Sequence, residues 1–94
     1  MERQQKRIRL SGYALDQARF RGATEEEVRE AIRTTEWSPA ELGRFECRKD
    51  FELNAEWNGR FYAVKQARPI FVEEQNEIVV VTVYVYYHGR GEKP

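Results

Sequence analysis

The clearest pattern in the chain is the run Ile78–Tyr87, IVVVTVYVYY, in which almost every residue is β-branched or aromatic. Such a run predicts a strand. Its two parities differ: Val79, Val81, Val83 and Val85 are uniformly apolar, whereas Ile78, Val80, Thr82, Tyr84 and Tyr86 turn polar toward the C-terminal end. The valine row is the natural one to lie beneath helices. The tyrosine row would then face solvent, a partner chain or a substrate.

The N-terminal half carries a helical period instead. Ala14, Leu15 and Ala18 form a narrow apolar stripe over Gly12–Arg21, and Gly22 stands where a left-handed residue would end the helix. Thr24-Glu25-Glu26-Glu27 reads as a capping box, with Thr24 as N-cap and Glu27 reaching back to its amide. Val28, Ala31 and Ile32 supply the buried stripe of this second helix. Pro39 after Ser38 breaks the helical pattern, and from Arg44 the period becomes two.

Arg44–Phe51 is expected to be the first strand, with Cys47 packing as a small hydrophobe. Asn58-Gly59 predicts a two-residue type I′ hairpin. Arg60–Val72 is expected to follow as a long strand, with a bulge or an edge position at Pro69, which cannot donate to a ladder. Residues 1–9 read as a basic lead-in, either a frayed tail or a short extended segment, and 89–94 as a flexible tail. The expected fold is α+β: one domain over 1–94, with two N-terminal helices on one face of a three- to four-stranded antiparallel meander.

Ninety-four residues suffice for one core but leave little room for a deep cleft, so a site is expected on an open face or at an interface. Sixteen Lys and Arg balance sixteen Asp and Glu. That neutrality argues against general nucleic-acid binding but allows a local basic patch. With one cysteine no intramolecular disulfide can form, and neither a signal peptide nor a membrane-length apolar run is present, so a cytoplasmic protein with no membrane association is expected.

Phosphate-loop, dinucleotide and nucleophile-elbow motifs are missing, and one Cys and one His cannot build a structural zinc site. No metal or cofactor is implied. The remaining chemistry lies along two strands. Arg60, Lys65 and Arg68 on one, and Tyr84, Tyr86, Tyr87, His88 and Arg90 on or after the other, would form a basic and aromatic surface if the strands pair. Cleaving an RNA phosphodiester requires a base for the 2′-hydroxyl, cations for the phosphorane-like charge and an acid for the leaving 5′-oxygen. Arg60, Lys65, Tyr84 and His88 are the candidate catalytic set, and Arg68, Tyr86 and Arg90 the candidate RNA-binding set. The bland reading is that these are solubilising charges and half-buried packing tyrosines.

The segment Tyr13–Ile32, YALDQARFRGATEEEVREAI, resembles the opening of a bacterial domain family related to the RelE and BrnT toxins. Ala14, Arg21-Gly22, Thr24, Glu27-Val28 and Ala31-Ile32 match its pattern, and Ile78–Tyr84 is similar to its closing strand. Tyr13 and Gln17 stand where the family usually has His and Arg. The resemblance implies a RelE-like fold and a metal-independent messenger-RNA endonuclease, with an antitoxin as partner and RNA or the ribosome as target. The alternative is a non-catalytic module that binds a partner, or a second copy of itself, through its tyrosine face.

Overall fold

A computed structural model describes residues 6–89. In chain order the elements are β1 (Arg7–Leu10), α1 (Gly12–Arg21), α2 (Glu25–Thr34), β2 (Ser38–Pro39), a short 3-10 turn (Glu41–Gly43), β3 (Phe45–Glu46), β4 (Lys49–Trp57), β5 (Arg60–Glu73) and β6 (Glu77–His88). Six strands form one mixed sheet in the order β1-β6-β5-β3-β2, with β4 pairing β5 beside β3.

Local chemistry accounts for the helices. The Ser11 hydroxyl accepts from the Ala14 amide at the start of α1, and Gly22 ends it at φ 93°. In α2 the capping box closes in both directions: the Thr24 hydroxyl accepts from the Glu27 amide, and the Thr24 amide donates to the Glu27 carboxylate. Ala14 and Ala18 of α1 and Val28, Ala31 and Ile32 of α2 are buried against Phe71, Ile78, Val80 and Val83 of the sheet. Trp37 closes this core, packing edge-on against Phe71 while its indole N–H donates to the Ile32 carbonyl at 2.8 Å. Both helices therefore cover the same face.

Several expectations need correction. Within the lead-in the short extended alternative holds: Arg7–Leu10 is β1, which runs parallel to β6, with Ile8 opposite Ile78 and buried in the core. The sheet is thus mixed rather than a pure antiparallel meander. The first strand is interrupted into β3 and β4 at Cys47-Arg48, and β4 continues to Trp57. The Asn58-Gly59 turn forms with positive φ at both residues, and Trp57 pairs directly with Arg60.

The parity expected for the last strand also fails midway. Ile70 pairs with Thr82, but Phe71 pairs with Val80, leaving Val81 as an extra residue in β6. This bulge exchanges the two sides of the strand. Ile78 and Val80 join Val83 and Val85 beneath the helices, not on the tyrosine side. Val79, Tyr84 and Tyr86 face away from them.

Pro69 is buried, pairs with Val83 and carries no bulge itself. On its other side lies the interruption between β3 and β4. Glu46 pairs with Ile70 and Lys49 with Ala67, so the positions opposite Arg68 and Pro69 are Cys47 and Arg48 of the break. The proline, which has no N–H to donate, thus stands opposite the break between β3 and β4.

Candidate functional site

The strands sort the candidate residues by face. Lys65 pairs with Tyr87, and Arg68 with Tyr84, so Lys65 and Arg68 have opposite parity on β5. Lys65 points beneath the helices and is only 7% exposed. Its ammonium donates to the Gly22 carbonyl at 2.9 Å and to the Glu27 carboxylate at 2.8 Å. The convergence of Arg60, Lys65, Tyr84 and His88 on one accessible surface therefore does not occur. Lys65 ties the α1–α2 turn to the sheet instead.

Arg60 lies beside the hairpin turn, exposed, with its guanidinium 5.6 Å from the centre of the Tyr62 ring. Arg68 lies eight positions further along the same strand, roughly 26 Å away at the usual strand rise. His88 shares the uncovered face with Tyr84 and Tyr86 but is half-buried, and its Nε2 is enclosed without a hydrogen-bond partner. Beside it, Gln66 donates to Asp50 at 2.9 Å while its own carbonyl oxygen is buried and unpaired. Arg90 lies outside the described residues.

What the structure does bring together is a cluster around Arg68. Its Nε donates to Glu46 Oε1 at 2.9 Å, Nη2 donates to the same oxygen, and Nη1 donates to the Tyr86 hydroxyl at 3.1 Å. The guanidinium carbon lies 5.3 Å from the centre of the Tyr84 ring, and that of Arg21 lies 5.1 Å from the same ring. Burial alone would lower the Arg68 pKa, but the hydrogen bonds with Glu46 and Tyr86 outweigh it and the net shift is upward. Arg68 is a fixed cation.

This cluster lies on a groove of about 490 Å³ on the uncovered face. Arg68, Ile70 and Tyr84 line one side, and Pro39, Leu42 and Arg44, from the segment around the 3-10 turn, line the other. Leu42 adopts a left-handed conformation at φ 63° and is largely exposed. Among the described residues no group of three or more His, Cys, Asp or Glu side chains could hold a metal ion, and no helix is long and apolar enough to cross a membrane.

No match to this chain is found among protein-family models, curated proteins or solved structures.

Glu46 is the member of the cluster that the candidate list lacks. Its signal lay in the alternation Phe45-Glu46-Cys47. With Phe45 and Cys47 turned toward the core, a carboxylate between them must face the other side. The chemistry of the cluster follows from its donors. Because Tyr86 oxygen accepts from Arg68, its own proton is available to another acceptor. Glu46 supplies a base, Arg68 a held positive charge and Tyr86 a potential acid.

Proposed function

We propose that the uncovered sheet face binds single-stranded RNA and cleaves it without a metal ion. The observation that carries this reading is the Arg68 guanidinium, held by Glu46 and Tyr86 against the Tyr84 ring on an open groove. A phosphodiester oxygen competes with Glu46 for the guanidinium, which releases the carboxylate for chemistry. Glu46 takes the 2′-hydroxyl proton as the 2′-oxygen attacks phosphorus. Arg68 stabilises the phosphorane-like charge. The P–O5′ bond breaks as Tyr86 transfers its proton to the 5′-oxygen, leaving a 2′,3′-cyclic phosphate and a 5′-hydroxyl. Solvent then carries the proton from Glu46 back to the phenolate.

This reading agrees with the activity implied by the toxin resemblance but moves it to different residues. Arg60 and Lys65 drop out of the catalytic set, Tyr84 becomes a contact for a base or for Arg68, and Glu46 enters. A cytoplasmic RNA or ribosomal target and an antitoxin partner belong to the same proposal.

The deciding experiment incubates the purified protein with single-stranded RNA in EDTA and follows both fragments and end groups. Cleavage to cyclic-phosphate ends, lost in Glu46→Gln and on a 2′-deoxy substrate, supports the reading. Intact RNA in the presence of folded wild-type protein overturns it. A second reading, a non-catalytic interaction module, is favoured by Tyr13 and Phe20 on α1, which are 61% and 80% exposed.

A further inference from the structure

The outer edge of β6 has a composition that strand edges usually avoid. On its β1 side β6 is paired only from Glu77 to Val80, and Val81–His88 has no neighbouring strand there among the described residues. That stretch, VTVYVYYH, contains no Asp, Glu, Lys, Arg or Pro. Exposed edges are normally blunted by charge, proline or a covering element, because their free amides and carbonyls accept another strand. Here the described cover is one side chain. Arg21 at the end of α1 donates from Nη1 to the Val83 carbonyl at 2.8 Å.

That contact fixes which backbone groups point outward. The Val80 carbonyl accepts from the Ser11 amide, and after the bulge the Val83 carbonyl faces the same way. By strand alternation Val83, Val85 and Tyr87 present their amides and carbonyls to the open edge, while Tyr84 and Tyr86 engage β5. Beside this edge, Phe20, Arg21, Trp57, Val85 and Tyr87 line a groove of about 370 Å³, with Phe20 the most exposed large aromatic side chain beside it.

We infer that two copies of this chain pair antiparallel through their β6 edges, with the two-fold axis at Val85. The edge is self-complementary in this register. Val85 exchanges both hydrogen bonds with the partner's Val85, and Val83 exchanges both with the partner's Tyr87. The intervening positions place Tyr84 opposite the partner's Tyr86 on the uncovered face, a favourable aromatic cross-strand pair. The two Arg68 clusters then flank one continuous row of tyrosines, so each copy contributes a ring to its neighbour's face. The interface is isologous and closed, and it leaves no β6 edge for further addition. Phe20 of each copy lies where it is covered by the other. Arg21 must withdraw from the edge, giving up its place over the Tyr84 ring and one bond to the Val83 carbonyl, which the partner's Tyr87 amide then occupies. The dimer stands independently of any RNA chemistry.

The test is the solution mass of the wild-type protein across a concentration series, without nucleic acid, by light scattering and sedimentation. A dimer is expected; a monomer throughout, or open-ended oligomers, overturns the proposal. Val85→Pro removes only an outward-facing amide and should give a folded monomer. Arg21→Ala should lower the dimer dissociation constant roughly ten- to thirtyfold, the scale of one net hydrogen bond per copy. An unchanged or weaker dimer in Arg21→Ala overturns the register. If Val85→Pro fails to fold, mixing Tyr84→Cys with Tyr86→Cys decides the matter: the mixture should form a covalent heterodimer under mild oxidation, since Cys47 is buried. Absence of that crosslink, or equal crosslinking by either variant alone, overturns the pairing.

Discussion

Lys65 and Glu27 form an ion pair at 2.8 Å that joins the centre of β5 to the first turn of α2. The same Glu27 oxygen that receives the ammonium also accepts from the Thr24 amide. One carboxylate thus holds the helix cap and the sheet contact together.

Removing the ammonium should therefore affect folding rather than chemistry. Lys65→Met leaves Glu27 and the Gly22 carbonyl short of a donor in a mostly buried setting. Partial exposure of Glu27 moderates the effect, and a loss of about 2–3 kcal/mol in urea unfolding is expected. A variant of wild-type stability with a specific defect in RNA cleavage would show that Lys65 has been assigned wrongly.

Gly22 offers a second stability test. It sits at φ 93°, and a Cβ there would lie 2.8 Å from the Trp57 ring and collide with the Tyr87 hydroxyl. Gly22→Ala combines backbone strain with that collision, and a loss of about 2 kcal/mol or more is expected. A stabilised or neutral variant in thermal unfolding would contradict the packing of Trp57 and Tyr87 on this turn.

Tyr87 sets a pH dependence at the same place. Its hydroxyl donates to the Arg21 carbonyl, and its ring stacks on Trp57 at 5.3 Å. Burial, followed by the nearby Glu27 and Tyr62, pushes its pKa up to about 12 from an ordinary value of 10. Because the folded value exceeds the unfolded one, this contribution is complete below pH 10 and disappears as pH rises toward 12. Unfolding followed from pH 8 to about 12 should show wild type losing stability faster than Tyr87→Phe in the upper part of that range. Parallel curves for the two proteins would refute this role.

In the Arg68 cluster, the prediction separates binding from chemistry. Glu46→Gln keeps an acceptor for Arg68 but removes the base, so cleavage should fall about 10²- to 10⁴-fold while RNA is still bound. Arg68→Lys keeps the charge but loses the forked contacts to Glu46 and Tyr86, and should weaken both. Single-turnover rates set against titrated affinity distinguish these outcomes.

Much of the fold was legible because the local signals were mutually consistent. Ser11-to-Gly22, the Thr24 box and Asn58-Gly59 each depend on side chains within a few residues, and each element appears where those residues require it. The β6 parity was not legible, since both rows of IVVVTVYV are apolar near their start and only the pairing with β5 places the extra residue at Val81. The direction of Lys65 was hidden for a related reason. A lysine on a long strand reads as exposed unless the acceptors across the sheet, Gly22 and Glu27, are already known to lie there. Arg68 and Tyr86 were readable as polar candidates on paired strands, but Glu46 becomes their neighbour only through the β3–β5 pairing.

That bulge makes a deletion experiment informative. Removing Val81 returns the strand to regular alternation with Val80 and Val83 still on the same side, so the core and tyrosine faces are both retained. Removing Tyr84 instead turns Val85 and Tyr86 onto the wrong faces. Soluble yield and melting temperature should be much closer to wild type for the Val81 deletion, and the reverse order would discredit the assigned register.

The strand break opposite Pro69 divides the edge partners of β5 into two blocks. Phe45-Glu46 lies on one side, and Lys49–Trp57, with its hairpin, lies on the other. Opening of the hairpin need not propagate past the proline. In amide hydrogen exchange the outer hairpin should therefore behave as a separate cooperative unit, breathing on its own timescale while the Arg68 cluster and its Glu46 anchor stay closed.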